Sequence, residues 1–156
     1  MRIAIGSDHA GFELKQTIKE FLQELGMECK DFGIYSTKPY DDYPYIAAEV
    51  GEAVASGVYD RGILICGTGI GMSIAANKVP GVRAALCNDL FSAKKSREHN
   101  NANILTTGSR IVGVELAREI VRIWLATEFM KGRHALRVNK YSEIEKRCRP
   151  PNRSGY

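Results

Sequence analysis

In the run Arg61-Gly62-Ile63-Leu64-Ile65-Cys66-Gly67-Thr68-Gly69-Ile70-Gly71-Met72-Ser73-Ile74-Ala75-Ala76-Asn77-Lys78, an apolar stretch delivers a cysteine directly into a glycine-rich turn. The pattern reads as buried strand, thiol, anion cradle and helix. Glycines let backbone N–H groups crowd toward an anion, and a helix N-terminus adds its dipole, so a phosphate or an enediolate suits the turn. The same field favours a thiolate at Cys66. A base beside fixed N–H donors is the equipment of carbon-acid chemistry, in which a proton leaves a carbon next to a carbonyl and the oxyanion is held. Taken alone, Cys66 reads rather as an inert, small, buried strand residue. The turn is not a dinucleotide fingerprint, because Met72 stands where the last glycine of G-x-G-x-x-G is required.

Other residues with chemistry to offer are scattered. Gly6-Ser7-Asp8-His9-Ala10-Gly11 has the look of a phosphate loop, but Phe12 and Glu13 replace its Lys and Ser or Thr, which argues against ATP hydrolysis. Asp8 is either a site residue or an N-cap, and His9 either a ligand or a polar first-turn residue. Asp42 and Tyr43 lie in a Pro-rich turn that they could simply shape. His99, in Arg97-Glu98-His99-Asn100-Asn101-Ala102-Asn103, is a solvated loop histidine or a proton-transfer group. Arg133 and Arg137, four residues apart, share one face of a helix and suit a phosphate dianion, or else form a solvated basic face.

Short apolar runs alternating with amphipathic stretches must position these groups, the pattern of an α/β fold with a helix-covered parallel sheet. Strands are expected at Arg2–Ile5, Met27–Phe32, Gly62–Cys66, Val82–Cys87 and Ile104–Thr107. Helices are expected from Phe12 to Leu25, Tyr45 to Ser56, Ser73 to Lys78, Asn88 to Glu98 with Asn88 or Asp89 as cap, Val114 to Leu125, and after Gly132 to Cys148. Gly33 to Pro44 is a loop long enough to be functional. Residues 1–148 read as one domain and 149–156 as a loose tail. Ligands of an open parallel sheet bind beyond the C-terminal strand ends, which gathers Ser7 to His9, the Cys66 turn and Gly108 to Arg110. His99 and Asn100 precede strand five, so their place depends on how that segment folds.

The four cysteines, Cys29, Cys66, Cys87 and Cys148, form no C-x-x-C pair, and the histidines lie far apart, so no metal site is expected. Free thiols suit a reducing compartment, and the apolar run at the N-terminus is too short for a signal sequence, so a cytoplasmic location is expected. No stretch approaches the roughly 20 apolar residues that span a bilayer. The net charge of +4 is uneven: Lys131 to Tyr156 carries +6 and the rest −2. A phosphorylated substrate or an acidic neighbouring subunit would suit that segment. It lacks the aromatic interleaving of a nucleic-acid surface.

Together, Ser7-Asp8-His9-Ala10-Gly11, Cys66 to Lys78, Ser96-Arg97-Glu98-His99-Asn100, Gly108-Ser109-Arg110 and Gly132-Arg133-His134-Ala135-Leu136-Arg137 resemble the type B ribose-5-phosphate isomerase family from Met1 to about Glu145. The resemblance implies a Rossmann-like, flavodoxin-like sheet of five parallel strands with helices on both faces and a C-terminal helix used in dimerisation. It implies interconversion of D-ribose 5-phosphate and D-ribulose 5-phosphate, in the pentose phosphate pathway, through a cis-enediolate and with no cofactor. Cys66 would be the base, with the Gly67, Gly69, Ile70 and Gly71 amides as the anion hole. His99, helped by Thr68, would open the furanose ring. Asp8 and Tyr43 would contact the sugar, Asn100 the enediolate, and Arg133, Arg137, His9 and Arg110 the phosphate. Some relatives carry a glutamate base just past the glycine turn; Met72 occupies that position here. The resemblance further implies a homodimer or tetramer whose arginines reach a neighbouring subunit's site. The alternatives are an isomerase of allose or galactose 6-phosphate, or a non-catalytic sugar-phosphate binding module.

Overall fold

The structure, a computed structural model, describes residues 1–36, 38 and 42–148. The expected tail, 149–156, and part of the Gly33–Pro44 loop lie outside the described residues. The elements are β1 (Arg2–Ser7), α1 (Phe12–Glu24), β2 (Glu28–Asp31), α2 (Tyr43–Ala55), β3 (Arg61–Cys66), α3 (Ile70–Ala76), β4 (Ala84–Leu86), α4 (Leu90–Asn100), β5 (Ile104–Gly108), α5 (Val114–Ala126) and α6 (Arg133–Cys148). All strand pairs are parallel, in the order β2-β1-β3-β5-β4. The sheet is thus the expected doubly wound one, with β4 outside β5 rather than between β3 and β5 as in a 2-1-3-4-5 order. The order reverses between β1 and β3, the crevice where ligands of such sheets bind.

Strand alternation divides the core. Ile3, Ile5, Ile63, Ile65 and Leu105 face α1 and α5, packing on Ile18, Phe21, Ile120 and Trp124. Ala4, Leu64, Cys66 and Ile104 face α2 and α3, packing on Ala47, Val50, Met72 and Ala76. The period of two therefore aims the Cys66 side chain at the α2–α3 face.

Several boundaries differ from expectation, and four of them have a clear local reason. Helix α2 begins at Tyr43 because Pro44 is tolerated in a first turn. Helix α3 begins at Ile70, directly after Gly69, whose φ of +82° makes the sharp turn out of the strand. Strand β4 is short because the Asn77 side chain pairs both backbone groups of Ala84 at 2.9 Å while Asn103 Oδ1 accepts the Arg83 N–H at 2.7 Å. Helix α4 runs through Asn100, stopped by Asn101 in the left-handed conformation, so His99 is a last-turn helical residue rather than a loop residue. Asp89, not Asn88, caps this helix, accepting the Ser92 N–H at 2.7 Å.

Lys15, outside the apolar periodicity of α1, is fully buried. Its ammonium donates to Asp31 Oδ1 at 2.8 Å and to the Ile34 carbonyl, and Lys19 donates to Asp31 Oδ2 at 2.7 Å. Burial alone would raise the Asp31 carboxyl, but hydrogen bonds from Lys15, Lys19 and the Gly33 amide hold it below the usual carboxylate range. The pair ties α1 to the start of the segment that leads to Tyr43.

A methyl group on Gly11 would fall 2.4 Å from the Ile65 carbonyl oxygen, so α1 starts in direct contact with β3 only because Gly11 has no side chain. Gly11→Ala is expected to lower stability by about 2 kcal/mol, which for a chain of this size is a fall of about 4–8 °C in Tm, measurable by calorimetry. An unchanged Tm would show that the contact can relax freely.

Candidate active site

The loops after β1, β3 and β5 converge and are hydrogen-bonded to one another. Asp8 N–H donates to the Ile65 carbonyl at 3.1 Å, Ser109 N–H to the Cys66 carbonyl at 2.8 Å, and Arg110 N–H to the Gly67 carbonyl at 3.0 Å. The Ser109 hydroxyl donates to the Ala10 carbonyl at 2.8 Å and also lies 3.2 Å from that of Cys66. Asp8 is not the helix cap; its carboxylate accepts the Gly11 N–H at 2.8 Å and so shapes the turn before α1.

Cys66 sits at the centre, 6% exposed. Its Sγ accepts the Gly69 N–H at 3.0 Å, so the glycine turn delivers a donor to the sulfur itself. The first-turn amides of α3 have no partner within their helix; that of Ile70 donates to the Thr68 hydroxyl at 3.3 Å, and fixed donors of this kind can hold an oxyanion. Tyr43 covers them: a methyl on Gly71 would lie 2.5 Å from its hydroxyl oxygen. Arg110 flanks the other side, its Cδ 3.4 Å from where a methyl on Gly67 would be. Thr68 is exposed at the crest of the turn, and His9 is half-buried beside Asp8. Cys87 lies in the other core layer, where burial pushes its thiol up to about 11.

Two residues of this scaffold carry roles the sequence reading did not assign. Ser109 staples the three loops. Asn88 accepts from the Thr107 hydroxyl at 2.9 Å and the Gly108 N–H at 3.0 Å, fixing the end of β5 against the turn. Hydrogen-bonding side chains at loop ends are the available signal, but many such residues are merely solvated.

The remaining candidates form a second group. His99 stacks on His134, ring centroids 4.3 Å apart and planes within 3°, and Asn100 donates to the Tyr141 hydroxyl at 3.0 Å. Arg133 and Arg137 lie exposed on α6 beside them. This group lies at the other end of the sheet: α4 starts after β4 at the C-terminal edge and runs back for 11 residues, about 16 Å, to the N-terminal edge. There Asn103 accepts the N–H of Gly62, at the start of β3. Within one chain the structure therefore does not bring His99, Asn100, Arg133 and Arg137 to the Cys66 turn. A hollow of about 340 Å³ lined by Arg83, Asn77, Ser96, Asn100 and Tyr141 belongs to this far end. No helix among the described residues is long and apolar enough to cross a membrane.

A doubly wound parallel sheet with a buried thiol and a glycine-rich turn at its switch point defines an α/β protein whose candidate site lies at the C-terminal strand ends. Residues 3–141 match the Ribose/Galactose Isomerase family, and the chain belongs to it; it is an isomerase of the aldose–ketose kind. Ribose-5-phosphate isomerase B of Escherichia coli is 51% identical over 146 residues, 94% of this chain and 97% of that protein. The D-erythrulose-4-phosphate isomerase of Pectobacterium atrosepticum is 45% identical over 145 residues, 93% and 95% of the two chains. The structure of Clostridium thermocellum ribose-5-phosphate isomerase B superposes with a TM-score of 0.92 at 56% identity, covering 94% of this chain and 99% of that one.

Burial, His99, Arg133, Arg137 and Lys95 all push the His134 imidazole below its ordinary value. Well above pH 6.5 it is neutral in folded and unfolded chains alike and contributes no pH dependence. As pH falls below 6.5 the unfolded chain takes up the proton more readily, so stability is lost until the folded imidazole also titrates. Between pH 7.5 and 5.5 the urea midpoint should fall more for the native chain than for His134→Phe; parallel slopes would remove the effect.

Proposed function

We propose that this enzyme interconverts D-ribose 5-phosphate and D-ribulose 5-phosphate, the aldose–ketose step of the pentose phosphate pathway, through a cis-enediolate and without a cofactor, in the cytoplasm. The observation that carries the reading is the Gly69 N–H donated to Cys66 Sγ at 3.0 Å, directly before the first-turn amides of α3. That arrangement stabilises a thiolate and an adjoining oxyanion together.

In the proposed mechanism, His99 with Thr68 transfers the hemiacetal O1 proton to the ring oxygen as the bond from C1 to that oxygen breaks. Asp8 and Tyr43 hold sugar hydroxyls. The Cys66 thiolate then takes the C2 proton, the C–H electron pair becomes the C1–C2 double bond, and charge moves onto O1. The Gly67, Gly69, Ile70 and Gly71 amides and Asn100 hold this enediolate. The thiol returns its proton to C1 as the O2 proton passes to O1, which leaves the ketone at C2. Arg133, Arg137, His9 and Arg110 bind the phosphate. Met72, fully buried, supplies no alternative base.

The opposite placement of His99 and Cys66 supports a site assembled from two copies of the chain, in which α4 and α6 of one copy face the glycine turn of the other. Exposed apolar side chains border that turn: Ile70 and Ile74 on α3, and Leu86, Leu90 and Phe91 beside them, with Phe91 72% exposed. Such a patch suits an isologous subunit contact. The relative named for D-erythrulose 4-phosphate supports a second reading, a four-carbon substrate in the same site. Catalytic efficiency on four-, five- and six-carbon aldose phosphates ranks these, with ribose 5-phosphate expected first.

Cys66→Ala is expected to lower ribose 5-phosphate turnover by about 10³-fold or more, with phosphate-ligand affinity retained. Near-native turnover would remove Cys66 as the base. A mixture of Cys66→Ala and His99→Asn chains tests the shared site. In a two-fold dimer the mixed species keeps one site with both native groups, so random reassortment restores about a quarter of native activity. No recovery after verified reassortment would place both groups in one chain.

A further inference from the structure

Helix α6 has one buried residue, His134, which is 5% exposed, and that residue lies flat on His99 at 4.3 Å with the ring planes 3° apart. Seven residues on, two helical turns along the same face, Tyr141 accepts the hydrogen bond of Asn100 at 3.0 Å. Two consecutive residues of α4 are thus backed by two residues of one stripe on α6. His99 is the last turn of its helix, where the backbone alone leaves an imidazole free to change rotamer. Face contact with a second ring restricts that freedom, because rotation out of the plane gives up the contact.

We propose that His134 is a positioning residue for His99, holding its imidazole by ring stacking in the orientation needed for proton transfer to and from the sugar ring oxygen. The proposal rests on the reading of His99 as the ring-opening group. His134 itself touches neither the enediolate nor the base. Because Arg133 and Arg137 are on the same helix, the stack also sets the spacing between the ring-opening group and the phosphate-binding pair. Removing it should therefore raise KM for both substrates but lower the maximal rate only where a ring must open.

Ribulose 5-phosphate provides the control, since its C5 hydroxyl is esterified and it cannot close a furanose. Exchange of its C1 proton with deuterated water requires enolisation but no ring opening. In His134→Ala, turnover of ribose 5-phosphate at saturation should fall about 30- to 100-fold, the scale of a misplaced proton donor. C1 exchange of saturating ribulose 5-phosphate should stay within about threefold of native, which also shows that the protein is folded and assembled. His134→Phe, a flat ring without titration, should recover most of the ribose 5-phosphate rate. An equal loss of both rates in His134→Ala, an unchanged ribose rate, or a Phe variant as impaired as the Ala variant would each overturn the proposal. Failure of the underlying reading looks different: His99→Asn would then keep the native rate on ribose 5-phosphate.

Discussion

Strand polarity is the constraint on which the rest of the molecule depends. In an all-parallel sheet every residue that follows a strand lies at one edge, and every residue that precedes the next strand lies at the other. Cys66 ends β3 and His99 ends the helix before β5, so their separation follows from the topology rather than from side-chain placement. Once β3 and β5 pair in parallel, with Cys66 opposite Gly108, no rotamer change can bring the two groups together within one chain. The long return of α4 is what divides the five sequence motifs between the two edges of the sheet.

Close approach at the switch point is the second requirement. The turn after β3 passes so near β5 that a methyl on Gly108 would lie 2.6 Å from the Thr68 carbonyl carbon, and one on Gly69 2.9 Å from that of Thr107. Glycine at these positions lets three loops share hydrogen bonds, with Ser109 linking the first to the third. Rigid cross-linking of this kind presents backbone amides in fixed directions, and fixed donors stabilise a developing oxyanion without reorganising. The Lys15–Asp31 pair extends the same logic to the edge of the sheet. It ties Asp31 and the Ile34 carbonyl to α1, while Tyr43, the first residue of α2, lies over Gly71.

Much of this was legible in the residues. The five strands follow from apolar runs bounded by glycine and proline, whereas the Cys66 turn on its own reads as an inert strand end and gains meaning only together with the other motifs. Less legible were the ends of elements: β4 is cut short by side chains of Asn77 and Asn103 that substitute for a strand partner, an event with no local signature. Fully buried Lys15 escaped notice because a charge breaks the apolar period, and its partner lies 16 residues away. The position of His99 could not be read at all without knowing where α4 ends. Asn101 in the left-handed conformation sets that point, and asparagine adopts it in only some contexts.

On the proposed function, the charge distribution gives the two groups of candidate residues a common electrostatic logic. A thiolate, an enediolate and a phosphate dianion are all anionic, and in a site closed to water they require nearby cations. Residues 1–130 carry a net −2 and place Arg110 at the glycine turn, whereas the segment from Lys131 onward carries +6. A chain with all its cations around Cys66 would hold them unpaired and desolvated whenever substrate was absent. Arg133 and Arg137 lie on an exposed helix face and stay hydrated in the isolated chain; on the proposed reading they meet an anion only when a complementary surface is present. On the shared-site reading, assembly of the subunits and completion of the phosphate site become the same event, and the buried stack of His134 on His99 is the fixed point from which α6 presents both arginines.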